Sequence, residues 1–334
     1  MAARQPLTVE VTRGDMVESR HRAAAVVMDG AGKTLHSWGD VGRLVYPRSA
    51  IKPLQTLALI ETGAAEHFRL SDAEIALASA SHNGTPAHTV AVASWLARVG
   101  LSERDLECGA HPPMDEEAAR ALVRAGRAPG PLHNNCSGKH AGFLTTARHM
   151  GEPIAGYVKA GHPVQERLKE ILGQMGGADL ARAPTGIDGC GIPVYGMALA
   201  GLARALARMA DGHRLDAERK AAARRIVAAM TTNPVLVAGR GRFDTGAMQA
   251  GNGAFATKGG AEGVHVAIVP GLGLGVALKV DDGAKRAAEV AMAAILNLLG
   301  VLPDGLAKPF LEAPVVNAAG APVGVVRMAK DWNK

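Results

Sequence analysis

Strand-like segments stand at both ends of this 334-residue chain, and amphipathic helical patterns fill its middle. No other feature constrains the fold as much, because short strands bury their faces only by pairing and by packing under helices. Leu7–Thr12, Ala23–Met28 and Thr34–Trp38 are apolar or β-branched, and Asp29-Gly30 marks a hairpin turn between the last two. Val264–Val269, Leu274–Val280, Ala313–Val316 and Pro322–Met328 read as strands at the other end. Between them, Pro53–Thr62, Thr89–Val99, Asp115–Ala125, Pro163–Met175, Val194–Met209 and Asp216–Met230 carry helical patterns; Asp72–Ala80 reads as an apolar helix or strand, and Gly283–Leu299 as a final helix. The expectation is an α/β fold: a mixed, mainly antiparallel sheet closed by both ends of the chain, flanked by helices and carrying a helical insertion. It forms a single catalytic unit, sheet-rich over about 1–85 and 235–334 and mainly helical over about 86–234.

Composition then excludes several classes. Aromatic residues are only 3%, so the core is built from Ala and branched aliphatic side chains. The net charge of +6 is spread over helical patterns such as Ala200–Arg225, with no basic run interleaved with aromatics, which argues against nucleic acid. The longest apolar stretch, Val264–Val280, is broken by Pro270, Gly271, Gly273 and Gly275 and is not a spanning helix. Met1–Thr8 has no apolar secretory core, and three cysteines without a C-x-x-C pair make no disulfide framework; the expected compartment is the cytoplasm.

Two glycine motifs are decoys. Gly32-Lys33-Thr34 lacks the first glycine of a phosphate loop, since Val27 stands there. Gly271-x-Gly273-x-Gly275 is followed by a strand rather than a helix, so close backbone packing explains it better than a dinucleotide.

The chemistry begins at Arg48-Ser49-Ala50-Ile51-Lys52-Pro53. Residues three apart share a helix face, and Pro53 suits a first turn, which puts Ser49 at or near a helix N-terminus. A serine needs a base, and a lysine serves as one when burial or nearby cations lower its pKa. With nine serines and twelve lysines, random placement gives about 0.3 S-x-x-K motifs, so the motif alone is weak. Its companions strengthen it: Ser81-His82-Asn83 follows, and Thr257-Lys258-Gly259-Gly260 precedes a strand, the order seen in penicillin-recognising serine enzymes.

A second constellation surrounds two cysteines, in Asn134-Asn135-Cys136-Ser137-Gly138-Lys139-His140 and Gly186-Ile187-Asp188-Gly189-Cys190. Buried structural thiols are one reading. The other is a zinc site, in which spacing alone pairs Cys136 and His140 with Cys190.

Together these segments, with Ala238–Thr245 and Ala256–Gly263, resemble the signatures of the rhizobial-type L-asparaginases, the third structural class, also called the asparaginase II family. The resemblance implies a fold similar to serine β-lactamases and glutaminases, a homodimer, and hydrolysis of L-asparagine to L-aspartate and ammonia. It implies catalytic tandems Ser49–Lys52 and Ser81–Lys258, zinc ligands Cys136, Lys139 and Cys190, and substrate-binding residues Arg48, His140 and Asp188. Either serine could be the nucleophile. A glutaminase or broader Ser–Lys amidase is the alternative enzyme, and a zinc-stabilised binding protein without turnover is the alternative from another class.

Overall fold

The structure is a computed structural model that describes residues 5–333. The chain opens with β1 (Leu7–Arg13), β2 (Met16–Asp29), β3 (Thr34–Trp38) and a short β4 (Leu44–Val45). A 3₁₀ turn, Arg48–Ile51, runs into α1 (Lys52–Glu61), followed by α2 (Ala64–His67), α3 (Asp72–Ala78), α4 (Pro86–Arg98) and α5 (Glu116–Arg124). Next come α6 (Ser137–Met150), α7 (Pro163–Gly176), the hairpin of β5 (Thr185–Ile187) and β6 (Pro193–Tyr195), and β7 (Met197–Ala198). After α8 (Leu199–Asp211), α9 (Ala217–Thr232), α10 (Pro234–Val237) and α11 (Phe243–Ala250), the chain returns to β8 (Ala256–Gly259), β9 (Val264–Val269) and β10 (Leu274–Val280). It ends with α12 (Lys285–Leu298), α13 (Asp304–Leu311), β11 (Ala313–Val316) and β12 (Pro322–Met328). No helix among the described residues is long and apolar enough to cross a membrane.

Two compact units result, one of Met1–Ala50, Met197–Arg214 and Ala247–Lys334, the other of Ile51–Gly196 and Leu215–Gly246. The first holds an eight-stranded sheet in the order β11-β12-β1-β2-β10-β9-β8, with β3 also paired to β2. Each pairing is antiparallel. β10 is buried at six of seven positions, as expected of a strand covered on both faces. Helices α8 and α12 both pack on it. Gly275 lies where a Cβ would strike the backbone of Ala203 and Ala207 in α8, so the glycine run serves close helix–strand packing. β1 alternates instead: Leu7 and Val9 point into the core, while Thr8 and Glu10 are half-exposed.

Helices α1 to α7, α9 and α10, with the β5–β6 hairpin, belong to the second unit. At its centre lies α6, with every residue from Ser137 to Ala147 buried, although the segment includes a lysine, a histidine and two threonines. Thr145 and Thr146 satisfy their hydroxyls on the carbonyls four residues back. Lys139 and His140 have no such local solution and must find partners on other elements. α3 opens with a capping box between Ser71 and Glu74 and delivers the chain to Ser79–Ser81.

One expected element differs. Val194–Met209 is not one helix: Val194 and Tyr195 lie in β6, Met197 and Ala198 in β7, and the helix starts at Leu199. A continuous apolar run does not reveal its period, and Gly196 supplies the break. Thr257-Lys258-Gly259 lies within a strand of its own, β8, and precedes the expected strand, β9.

Candidate active site

Lys52, the first residue of α1, is fully buried. Its Nζ donates to the carbonyl of Ala80 and, at 2.9 Å, to Ser81 Oγ. Burial drives its pKa down from the ordinary lysine value; the Cys136 thiolate works against that shift and the Lys139 charge works with it. A neutral lysine has two N–H bonds and one lone pair. Ala80 and Ser81 accept both, and a further side-chain hydrogen bond joins the same nitrogen to Cys136.

Ser81 is held from its backbone, whose N–H donates to Val237 O at 2.9 Å. The neighbouring His82 N–H donates to Asn135 O at 3.2 Å. On the His82 ring, Nδ1 accepts from Gly84 N, so Nε2–H donates to Ser137 Oγ at 2.9 Å, and Ser137 passes its proton on to Leu132 O. Burial holds His82 well below the ordinary histidine pKa, so it is a neutral tie between the Ser81 segment and the start of α6.

Cys136 caps α6, and its sulfur lies 3.0 Å from Asn135 Oδ1. Lys139, one turn on, points its ammonium at Cys190 Sγ, 2.9 Å away. Cys190 ends the tight turn between β5 and β6, where Gly191 N–H donates to Asp188 O. A hydrogen bond from Cys190, together with Lys52 and Lys139, holds the Cys136 thiol far below its usual pKa against the cost of burial. The same bond, with burial, pushes Cys190 up. Burial opposes the Lys139 charge, but the two sulfurs overcome it and hold the ammonium above its usual range. Two sulfurs and a lysine amine thus converge, a donor set with the softness that zinc favours. No three His, Cys, Asp or Glu side chains gather among the described residues; in this set the third donor is a lysine.

His140 is turned away from that set. Glu107 N donates to Tyr157 Oη at 2.9 Å, which leaves the tyrosine hydroxyl proton free to go to His140 Nδ1, 2.7 Å away. The imidazole hydrogen then sits on Nε2, which is buried and has no hydrogen-bond partner. Burial, then Lys139 and Lys52, keep the ring neutral. His140 is a donor awaiting an acceptor.

Ser49 and Arg48 lie in the 3₁₀ turn of the first unit, both half-buried. Arg48 has φ +52°, a left-handed conformation that costs a non-glycine residue about 1–3 kcal/mol. Lys258, in β8 of the same unit, is buried and donates to Gly259 O at 2.6 Å. Asp188 is half-buried on the β5–β6 turn. Within the second unit the structure therefore joins Lys52 to Ser81, and Cys136 to Lys139 and Cys190.

Sequence reasoning missed one contributor and left two residues of its own motifs without a role. Tyr157 fixes the His140 tautomer from a segment with no motif. Asn83, from the S-x-N element, is gripped by Arg242 Nη1 at 3.0 Å and donates to Arg240 O. Gly239, at φ +111°, leaves no room for a Cβ against Asn83, which explains the glycines of the Ala238–Arg242 segment.

The comparisons with known proteins agree with these motifs. A family model described as L-asparaginase II matches residues 9–328. The chain belongs to the L-asparaginase II family. That membership supports an amidohydrolase of the Ser–Lys type. No curated protein matches the chain. Similar solved structures include Mglu in its native form, at 16% identity and a TM-score of 0.47, covering 85% of this chain and 66% of that one. A β-lactamase from Mycobacterium bovis is 17% identical with a TM-score of 0.40, over 84% of this chain and 95% of that one. The D-alanine carboxypeptidase of Burkholderia cenocepacia is 14% identical with a TM-score of 0.41, over 83% and 93%. Across its Mglu matches the chain spans 60% to 68% of their length.

Proposed function

We propose that the protein hydrolyses L-asparagine to L-aspartate and ammonia, with Ser49 as nucleophile and Lys52 as its base. The observation that carries this reading is the full burial of Lys52 beside Ser81, which drives its pKa below the ordinary lysine value. Burial raises the neutral, proton-accepting fraction of such a lysine at a given pH, because its charged form is poorly solvated. Ser49, three residues earlier in the sequence, gives up its proton and attacks the side-chain amide carbon. Ser81 accepts an N–H from Lys52, so its own hydroxyl proton is free to pass to the departing amine, with Lys258 completing the relay. Ammonia leaves, and water resolves the β-aspartyl ester.

Three groups suit the rest of an amino-acid amide. Asp188 binds the α-ammonium and Arg48 the α-carboxylate, each through a charge-assisted hydrogen bond. His140 Nε2–H is the donor for a substrate oxygen, and its lack of a protein partner supports that role.

Zinc is proposed at Cys136, Lys139 and Cys190. When bound it would tie the start of α6 to the β5–β6 turn, and so fix His140 and Asp188 beside one another's segments. All three cysteines are buried and unpaired, which suits the reducing cytoplasm proposed for the protein.

Ammonia release from asparagine and glutamine by the purified protein tests the reading. One methylene is worth about 10–200-fold in a fitted pocket, so kcat/KM for asparagine should exceed that for glutamine by at least about tenfold. Faster glutamine turnover would make it a glutaminase. Absence of both activities would leave a binding protein.

A further inference from the structure

A cleft of about 960 Å³ opens in the first unit and shares no residue with the catalytic cluster. It is built on the half-exposed face of β1, through Thr8 and Glu10, and is walled by β3, β12 and the segment that follows β12. In a chain with only three tryptophans, two line it. His36 and Trp38 stack at 5.7 Å and 12°, and Trp332 leans over Trp38 at 5.9 Å and 40°. Trp38 is nearly buried, so this wall is packed in place rather than draped over the surface.

The polar lining is paired in charge. Arg327 and Lys330 stand against Glu10 and Asp331. Register places Arg327 opposite Glu10 on neighbouring strands, yet its Nη2 lies 3.9 Å from Glu10 Oε2, beyond hydrogen-bond reach. Glu10 accepts instead from Arg20 Nε, at 3.3 Å. Arg327 Nε is buried and has no hydrogen-bond partner, a costly state for a guanidinium donor. Aromatic side chains on one wall, with charged groups of both signs beside them, suit a small polar ligand that carries a ring. The Arg327 side chain, 38% exposed, offers its outer nitrogens to an anionic oxygen, and the balanced lining calls for a ligand that carries both charges.

We propose that this cleft binds a free aromatic amino acid, with its ring against the Trp38–Trp332 wall, its carboxylate on Arg327 and its ammonium on the Glu10 and Asp331 side. The alternative occupant, a second copy of the chain, offers no reason for an arginine held to its cross-strand carboxylate only at 3.9 Å.

Calorimetric titration with L-phenylalanine tests the proposal. Binding should saturate with a Kd on the order of 1 mM or below. Arg327→Gln should weaken it tenfold or more, the usual loss for a charge-assisted hydrogen bond. Trp332→Leu should weaken it about three- to tenfold, and it keeps the test alive if Arg327→Gln fails to fold by circular dichroism. 3-Phenylpropionate, which lacks the ammonium, and phenethylamine, which lacks the carboxylate, should each bind at least tenfold more weakly, as should L-leucine. The proposal is overturned if phenylalanine gives no saturable heat up to about 10 mM, or if both variants bind like the parent protein. It is likewise overturned if 3-phenylpropionate binds as well as phenylalanine. If Trp332→Leu lowers the molecular mass in solution and no ligand binds, the cleft is a subunit interface instead.

Discussion

Lys52, Lys139, Cys136 and Cys190 share one buried pocket of charge, and their mutual effects decide what each does. The sulfurs hold Lys139 protonated, while burial disfavours a charge on Lys52. In the metal-free protein Lys139 is thus a cation, which must lose its proton to ligate zinc, and Lys52 is the one inclined to the neutral form. The sign of the pH dependence follows. Catalysis needs Lys52 neutral, so kcat/KM should rise as pH climbs through its lowered pKa and then level toward alkaline pH. A pH–rate profile with an optimum near about pH 5 would point to a carboxylate base and contradict the assignment. His140 gives a second residue-scale expectation. Tyr157→Phe removes the proton that holds Nδ1, freeing the ring to change tautomer and lose its Nε2–H. Steady-state kinetics should show KM raised about tenfold with kcat changed little; a fall in kcat at constant KM would place His140 in the chemistry itself. The Lys52–Ser81 bond was not legible in the sequence. Spacing of three suggests Ser49 for Lys52, whereas the hydrogen bond spans 29 positions and depends on how α3 turns back beneath α1.

At the scale of elements, α6 and the β5–β6 hairpin are joined by Lys139 and the two cysteines, which is where zinc would matter. Two thiolates and an amine make an electron-rich site, poorly suited to activating water. Chelation or Cys136→Ala should therefore raise KM well before it lowers kcat, and elemental analysis of the native protein should find about one zinc per chain. Loss of kcat at constant KM on chelation would make the metal catalytic; native protein without zinc would return the cysteines to the core. The strands were largely legible, because β1 and β3 obey simple alternation or β-branched enrichment and Asp29-Gly30 announces its turn. α6 hid its importance. Its sequence is small and polar, so nothing in its pattern marks it as the most buried helix of its unit; only the need to house Lys139 and His140 explains it. The same limit applied at Val194–Ala198, where apolar residues are equally at home in strand or helix. Spacing also favoured His140 over Lys139 as a metal ligand, because a lysine donor is recognisable only by what its ammonium touches.

For the whole molecule, family membership and the buried lysine point to one activity, and the resemblance adds a homodimer. Light scattering should then give about twice the 34.4 kDa chain mass; a monomer at working concentration would remove that expectation without touching the chemistry. The central claim is that Lys52 acts as a neutral base. Ammonia release from L-asparagine by Lys52→Met and Lys52→Arg tests it most directly. Methionine keeps the volume and removes the amine, while arginine keeps the charge and does not give up its proton. Both should lose about 10³–10⁶ in kcat while retaining the parent circular dichroism. If either folded variant keeps more than about a tenth of the parent kcat, Lys52 is not the base.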